Sequence, residues 1–196
     1  VLLHGYGADA DSFQAVGRAL GGRLPRAEIL VPDGFHPFEG GGTGRMWFSL
    51  GDAGDRAAHV HEAGAEVSRW IDEELAARHL GGEHLALVGF SQGAMLTAWL
   101  AVHRTPRPAA AVMLSGLVAE DQSAPVGPTA TLPILVAHGD RDVRIPVTAV
   151  DESAKILGAW GAQVTTRIYP GMGHEVGGVE LGEVGDFLAG ALVTRQ

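Results

Sequence analysis

Three short segments carry residue types that could together perform covalent catalysis. Gly89-Phe90-Ser91-Gln92-Gly93 is a Gly-x-Ser-x-Gly sequence, His138-Gly139-Asp140-Arg141-Asp142 offers two carboxylates, and Gly171-Met172-Gly173-His174 offers an imidazole. A serine hydroxyl becomes a useful nucleophile only when a neighbouring base removes its proton, and that base needs an acid to orient it. The chain order suits this division of labour, with Ser91 as nucleophile, Asp140 or Asp142 as acid and His174 as base. A Gly-x-Ser-x-Gly match alone is a short signal in a chain with 29 glycines. Its setting is what gives it weight.

Leu85-Ala86-Leu87-Val88 before the pentapeptide reads as a buried strand, and Ala94 to Leu100 after it reads as a helix. A strand–turn–helix setting is what a nucleophile elbow needs, and glycines on either side of the serine let neighbouring backbone pass close. The two aspartates follow the apolar run Ile134-Leu135-Val136, and His174 follows the strand expected over Val164 to Tyr169. In parallel sheets functional groups collect beyond the carboxyl ends of the strands, so the three segments can converge on one edge.

The remaining elements follow the same alternation. Val1-Leu2-Leu3 reads as the end of a strand, with Asp11-Ser12 capping a helix from Phe13 to about Leu20, stopped by Gly21-Gly22. Glu28-Ile29-Leu30-Val31 is an apolar run ended by Pro32 and reads as a buried strand. Val60, Gly64, Val67, Ile71 and Leu75 recur at spacings of three and four, which predicts an amphipathic helix from Arg56 to about Leu80. Further strands are expected over His84–Gly89, Ala109–Leu114 and Pro133–Ala137. Further helices are expected over Gln92–Arg104 and Pro146–Ala159, with a last one through Val184, Phe187 and Leu188. Alternating strands and helices imply one α/β domain over 1–196, a mostly parallel sheet with helices on both faces.

A tetrahedral intermediate at Ser91 needs an oxyanion hole. One backbone N–H should come from Gln92, after the nucleophile, and another from the loop His4-Gly5-Tyr6-Gly7, with Tyr6 as the expected donor. From Asp33 to Gly54 runs a long loop with bulky side chains at Phe35, Phe38, Met46, Trp47 and Phe48. Long loops in compact domains are often binding loops, so Met46, Trp47 and Phe48 are candidates to line a substrate pocket, or else to anchor the loop in the core. The glycine run Gly40 to Gly44 offers no phosphate cradle, since no Lys-Ser/Thr follows it. His59 and His61 lie two apart on a helix and do not share a face, so they read as solvent-facing rather than as a metal pair. His4 and His138 begin loops near the site; either could touch substrate, but the first reading is of histidines that satisfy loop backbone groups.

Composition narrows the functions further. The chain has 196 residues, 46% hydrophobic and 19% charged, with a formal charge of −9. Such an acidic domain is a poor holder of nucleic acid or of an anionic membrane. There is no cysteine, which excludes disulfides, thiolate metal sites and a cysteine nucleophile. No apolar run is long enough to span a membrane. The expected partner is a small-molecule acyl ester, with no nucleic acid, no membrane insertion, no metal and no cofactor; a homodimer is compatible with this reading, and the expected location is cytoplasmic.

These motifs resemble the phospholipase/carboxylesterase family, which includes the acyl-protein thioesterases. The family has a His-Gly-x-Gly opening, a Gly-Phe-Ser-Gln-Gly elbow, an acid loop His-Gly-x-x-Asp-x-x-Val-Pro and a Gly-Met-x-His near the C-terminus. This chain has His4 to Gly7, Gly89 to Gly93, His138 to Pro146 with Ile at 145, and Gly171 to His174. Arg45-Met46-Trp47-Phe48 is similar to the family's Arg-x-Trp-Phe segment. The resemblance runs from Val1 to about Leu192. It implies an α/β-hydrolase fold whose first, antiparallel strands precede this sequence, and it selects Asp142 over Asp140 as the acid. Tyr6 where the eukaryotic thioesterases carry Leu, Ala8-Asp9 in place of a directly following Asp, and Glu175-Val176 after His174 lean toward simple esters rather than acyl-proteins. The implied activity is a serine carboxylesterase for short to medium acyl esters. The alternatives are a thioesterase or lysophospholipase with the same triad, or a non-catalytic ligand-binding module of the same fold. Gly116 to Leu132 is expected to be a short connection rather than a separate lid, so interfacial activation is not expected.

Overall fold

The computed structural model describes residues 1–51, 53–119 and 131–193. Its centre is a five-stranded sheet in which every neighbouring pair is parallel. In spatial order the strands are β1 (Leu2–Leu3), β4 (Ala86–Phe90), β5 (Ala110–Leu114), β6 (Pro133–Gly139) and β7 (Gln163–Tyr169). The helices are α1 (Ala10–Arg23), α2 (Arg56–Ala77), α3 (Gln92–His103), α4 (Ala149–Ala159) and α5 (Gly178–Val193).

Successive residues of a strand point to opposite faces, and here both faces are apolar. Leu87, Ala111, Met113, Ile134 and Val136 face one core with residues of α2, α3 and α4. Val88, Val112, Leu114, Leu135 and Ala137 face a second core with Phe13 and Leu20 of α1 and Val184 and Leu188 of α5. α3 is buried along nearly its whole length, from Gln92 to Val102. A helix apolar on all sides belongs inside, and α2 can cover it closely because Gly64 leaves room for the Trp99 ring, where a Cβ would collide.

The α/β reading and most element boundaries stand, with three corrections. α1 starts earlier and ends later than expected, because Asp9 is its cap. The Asp9 carboxylate accepts the Ser12 N–H at 2.8 Å while Ser12 Oγ accepts the Asp9 N–H at 3.1 Å, a reciprocal cap. Gly21 and Gly22 do not stop it.

Residues 28–31 do not form the expected strand. Leu2 donates to the Leu30 carbonyl at 2.8 Å, so the segment does lie beside β1. The next bond of a parallel ladder would come from residue 32, which is Pro32 and has no N–H to give.

The loop from Asp33 to Gly54 is not structureless. β2 (His36–Pro37) pairs antiparallel with β3 (Arg45–Met46) in a small hairpin. Gly7 donates to the Arg45 carbonyl at 2.9 Å and Arg45 to the Ala8 carbonyl at 2.7 Å, which pins the hairpin to the loop after β1. Most of the connection from β5 to β6, where no lid was expected, falls on residues 120–130 and lies outside the described residues. Among the described residues no helix is long and apolar enough to cross a membrane.

Candidate active site

Ser91 sits between the end of β4 and the start of α3 with φ 54° and ψ −113°. Positive φ at a residue with a Cβ is costly, and it persists only where the surroundings enforce it. Here Ser91 donates its N–H to the Leu114 carbonyl at 2.9 Å, and its carbonyl accepts from Ala94 at 3.0 Å. The glycines permit the turn by close approach. A Cβ at Gly89 would strike the Gly93 carbonyl, and one at Gly93 would strike the Leu3 carbonyl. The strained turn lifts the Ser91 hydroxyl beyond the sheet edge.

His174 Nε2 lies 2.9 Å from Ser91 Oγ, and His174 Nδ1 lies 2.7 Å from Asp142 Oδ2. The structure therefore brings all three expected residues into one hydrogen-bonded chain, and it is Asp142 that meets the imidazole. The Phe90 ring packs against the imidazole with centroids 4.9 Å apart. The Asp142 side chain is fully buried and that of His174 is 10% exposed.

Asp142 Oδ1 accepts the N–H of Arg144 at 2.8 Å and of Ile145 at 2.9 Å. Burial alone would raise the Asp142 pKa. The Ile145 N–H, the His174 ring and the Arg144 N–H outweigh it, and the net pKa lies below the usual carboxylate range. The acid is thus held ionised beside the imidazole.

Asp140 has a different place. Its Oδ1 accepts the Gly171 N–H at 2.6 Å, and Arg141 donates its N–H to the Met172 carbonyl at 3.0 Å. The acid loop and the base loop are latched together by these two bonds. Gly139 lets them meet, since a Cβ there would strike the Met172 carbonyl.

The loop after β1 lies over the nucleophile, where a methyl on Gly5 would come within 3.4 Å of Ser91 Cβ. This brings the Tyr6 backbone beside the elbow. Among the described residues neither Tyr6 nor Gln92 gives its backbone N–H to a protein acceptor. The Tyr6 hydroxyl instead reaches Glu39 at 2.8 Å and its ring meets Phe38 edge-on.

The loop candidates separate by burial. Trp47 and Phe48 are 1% and 5% exposed and belong to the core, so they anchor the loop; Met46 is half-buried. Trp47 Nε1 donates to the His4 carbonyl at 2.9 Å. His4 is buried, its Nε2 accepting the Gly34 N–H at 2.8 Å and its Nδ1 bonding the Gly5 carbonyl at 2.8 Å. Burial dominates there and lowers its pKa. His61 is exposed as expected, but His59 is half-buried beside Gly51, its Nδ1 without a partner among the described residues. A cavity of about 410 Å³ lies at the opposite ends of β1 and β4, lined by Leu20, Ile29, Ile71 and Leu85, and none of Ser91, Asp142 and His174 touches it.

Two groups at the site were not singled out from sequence. Gln92 was expected to act through its backbone, yet its side chain also binds the backbone of Trp47 and Phe48 at 2.9 and 2.7 Å. Glu180 is fully buried at the foot of the His174 loop, and one oxygen accepts the Gly177 N–H at 3.1 Å. An acid in the first turn of a helix is ordinarily a solvated dipole partner, so nothing in the spacing marked it.

Known proteins share this arrangement of the chain. Acyl-protein thioesterase 1 of Gibberella zeae is 26% identical over 155 residues, which cover 72% of this chain and 66% of that relative, just under two thirds of its length. The crystal structure of esterase PE8 superposes with a TM-score of 0.85 at 28% identity, covering 97% of this chain and 90% of that one. A carboxylesterase from Mesorhizobium loti superposes with a TM-score of 0.83 at 26% identity, covering 96% and 87%. The phospholipase/carboxylesterase family model matches residues 1–192. With the fold, the elbow and a match across almost its entire length, this chain belongs to the phospholipase/carboxylesterase family of hydrolases.

Proposed function

We propose that this protein is a serine carboxylesterase that hydrolyses short to medium acyl esters through an acyl-Ser91 intermediate. The observation that carries the proposal is the unbroken chain Ser91 Oγ–His174–Asp142, with links of 2.9 and 2.7 Å, ending on a serine in a strained elbow.

In this mechanism Ser91 Oγ attacks the acyl carbonyl while His174 Nε2 takes its proton. Asp142 keeps the proton of His174 on Nδ1 and stabilises the imidazolium that forms. The oxyanion accepts hydrogen bonds from the Tyr6 and Gln92 backbone N–H groups, each worth about 2.7–4 kcal/mol in the transition state. His174 returns the proton to the leaving alcohol, breaking the C–O bond. A water then gives its proton to His174 and attacks the acyl-serine, and collapse frees the acid and restores Ser91. The chemistry calls on no metal or cofactor. In this reading Met46, half-buried on β3, is the candidate to meet the acyl chain, with Trp47 and Phe48 in the core as support. A cytoplasmic place of work goes with this reading, on the family resemblance alone.

The similarity to an acyl-protein thioesterase supports a second reading, cleavage of acyl thioesters by the same residues. Hydrolysis of p-nitrophenyl esters from C2 to C16, beside matched thioesters, separates the two. The carboxylesterase reading expects turnover with an optimum at short to medium chains, and loss of at least about a thousandfold in Ser91→Ala. A strong preference for long-chain thioesters would favour the second reading. Activity undiminished in Ser91→Ala would overturn both.

A further inference from the structure

We propose that His138 is a positioning residue for this site: through Nε2 it fixes the Asp142 carboxylate and the turn that holds it, so that Oδ2 is presented to His174. The inference rests on the Ser91–His174–Asp142 reading above.

His138 lies near the end of β6, four residues before Asp142, and its side chain is fully buried. Its Nε2 lies 3.0 Å from the Ile145 carbonyl and 3.1 Å from Asp142 Oδ2. Both neighbours are acceptors, so Nε2 must carry the hydrogen, which assigns the ring from its surroundings. The bond runs to the Ile145 carbonyl, with Oδ2 alongside it.

Ile145 then has two roles. Its N–H binds Asp142 Oδ1 at 2.9 Å, and its carbonyl is held by His138. The turn from Asp142 to Ile145 is thereby closed onto the end of β6. Asp142 Oδ2 has His174 at 2.7 Å on one side and His138 at 3.1 Å on the other, which leaves the carboxylate no free rotation.

His138 Nδ1 is buried and has no partner among the described residues. An apolar side chain of similar size would avoid the cost of burying that nitrogen. Space-filling therefore does not account for a histidine here, whereas the work of Nε2 does. The positive end of the Nε2–H dipole beside Oδ2 also tempers the charge that the His174 imidazolium meets. Among the described residues, the titratable groups in contact with this pair are each other and His174; Arg144 contributes its backbone N–H, and Asp140 is turned to Gly171.

The test compares His138→Gln with His138→Asn, because a glutamine amide reaches the Nε2 position and an asparagine amide only the Nδ1 position. kcat and KM for p-nitrophenyl acetate are measured against pH, with Ser91→Ala as the blank. His138→Gln is expected within about threefold of wild type with an unchanged pH profile, and His138→Asn to lose about tenfold in kcat at nearly constant KM. In His138→Asn the midpoint of the acid limb should rise by about half a unit, because Asp142 loses a compensating dipole. Equal behaviour of the two variants, in rate and in profile, would overturn the proposal. Where a variant does not fold, nitrogen NMR of the wild-type histidines decides: a proton on Nε2 with Nδ1 bare supports it, and a proton on Nδ1 overturns it. Activity retained in Ser91→Ala would instead overturn the nucleophile assignment beneath it.

Discussion

Gln92, the residue after the elbow serine, holds two consecutive residues of the loop opposite: its Oε1 accepts the Trp47 N–H at 2.9 Å and its Nε2 donates to the Phe48 carbonyl at 2.7 Å. Gln92 is 1% exposed, so neither bond can be replaced easily by water. One residue thus ties the elbow to the loop that walls the site. Its backbone serves the oxyanion in the proposed mechanism, and its side chain sets where the loop lies.

Gln92→Ala keeps the backbone N–H but leaves the Trp47 N–H and the Phe48 carbonyl buried and unpaired. Each such group costs roughly 1–3 kcal/mol, so a loss of about 2–6 kcal/mol in folding stability is expected. The loosened loop should raise KM more than it lowers kcat. Thermal or urea denaturation together with ester kinetics reads both, and a variant as stable as wild type would contradict the coupling.

Asp142 and Asp140 should respond very differently to the same change. In Asp142→Asn the two backbone donors on Oδ1 hold the amide oxygen there, which turns the amide N–H toward His174. The imidazole is then driven to the wrong tautomer, and kcat should fall by about 10⁴ with the fold intact. Asp140→Asn keeps a carbonyl oxygen for the Gly171 N–H and should lose less than about tenfold. Comparable losses in the two variants would contradict the assignment of the acid.

How far this was legible in the sequence depends on what each residue relies upon. Ser91 and His174 were legible because the elbow and the base loop are local: glycines at fixed offsets and a strand just before. Spacing left Asp140 and Asp142 equivalent; the family resemblance chose Asp142, and the physical reason is the turn that carries the Ile145 and Arg144 N–H groups to Oδ1. The segment Glu28 to Val31 looked like a strand by its apolar run, yet its pairing hangs on one missing N–H at Pro32. Asp9 was passed over as a cap because its partner Ser12 looked like a cap itself. The His138 and Gln92 contacts join segments distant in space or folded back by a turn, and no periodicity reports such meetings.

Glu180 should make folding stability depend on pH. One of its oxygens accepts the Gly177 N–H, while Oε1 is buried without a partner among the described residues. Burial pushes its pKa up to about 7, against an ordinary value of 4.5, with the Gly177 bond opposing. Below the ordinary value the carboxyl is protonated in both folded and unfolded chains and carries no penalty. As pH rises toward 7 the unfolded chain loses its proton first, so stability falls across that window by roughly 3 kcal/mol in all. Glu180→Gln should remove this slope and be more stable than wild type at pH 8, with little difference at pH 4. Urea titrations at the two pH values check it, and an equal shift at both would contradict it.

The role of Ser91 is tested most directly by a fluorophosphonate, which forms a stable adduct only with an activated nucleophile. Intact-mass measurement and peptide mapping after labelling should find one adduct per chain, on the peptide carrying Ser91. It should be absent from Ser91→Ala and greatly slowed in His174→Ala. An adduct on another residue, or persistent ester turnover with no adduct at Ser91, would contradict the mechanism.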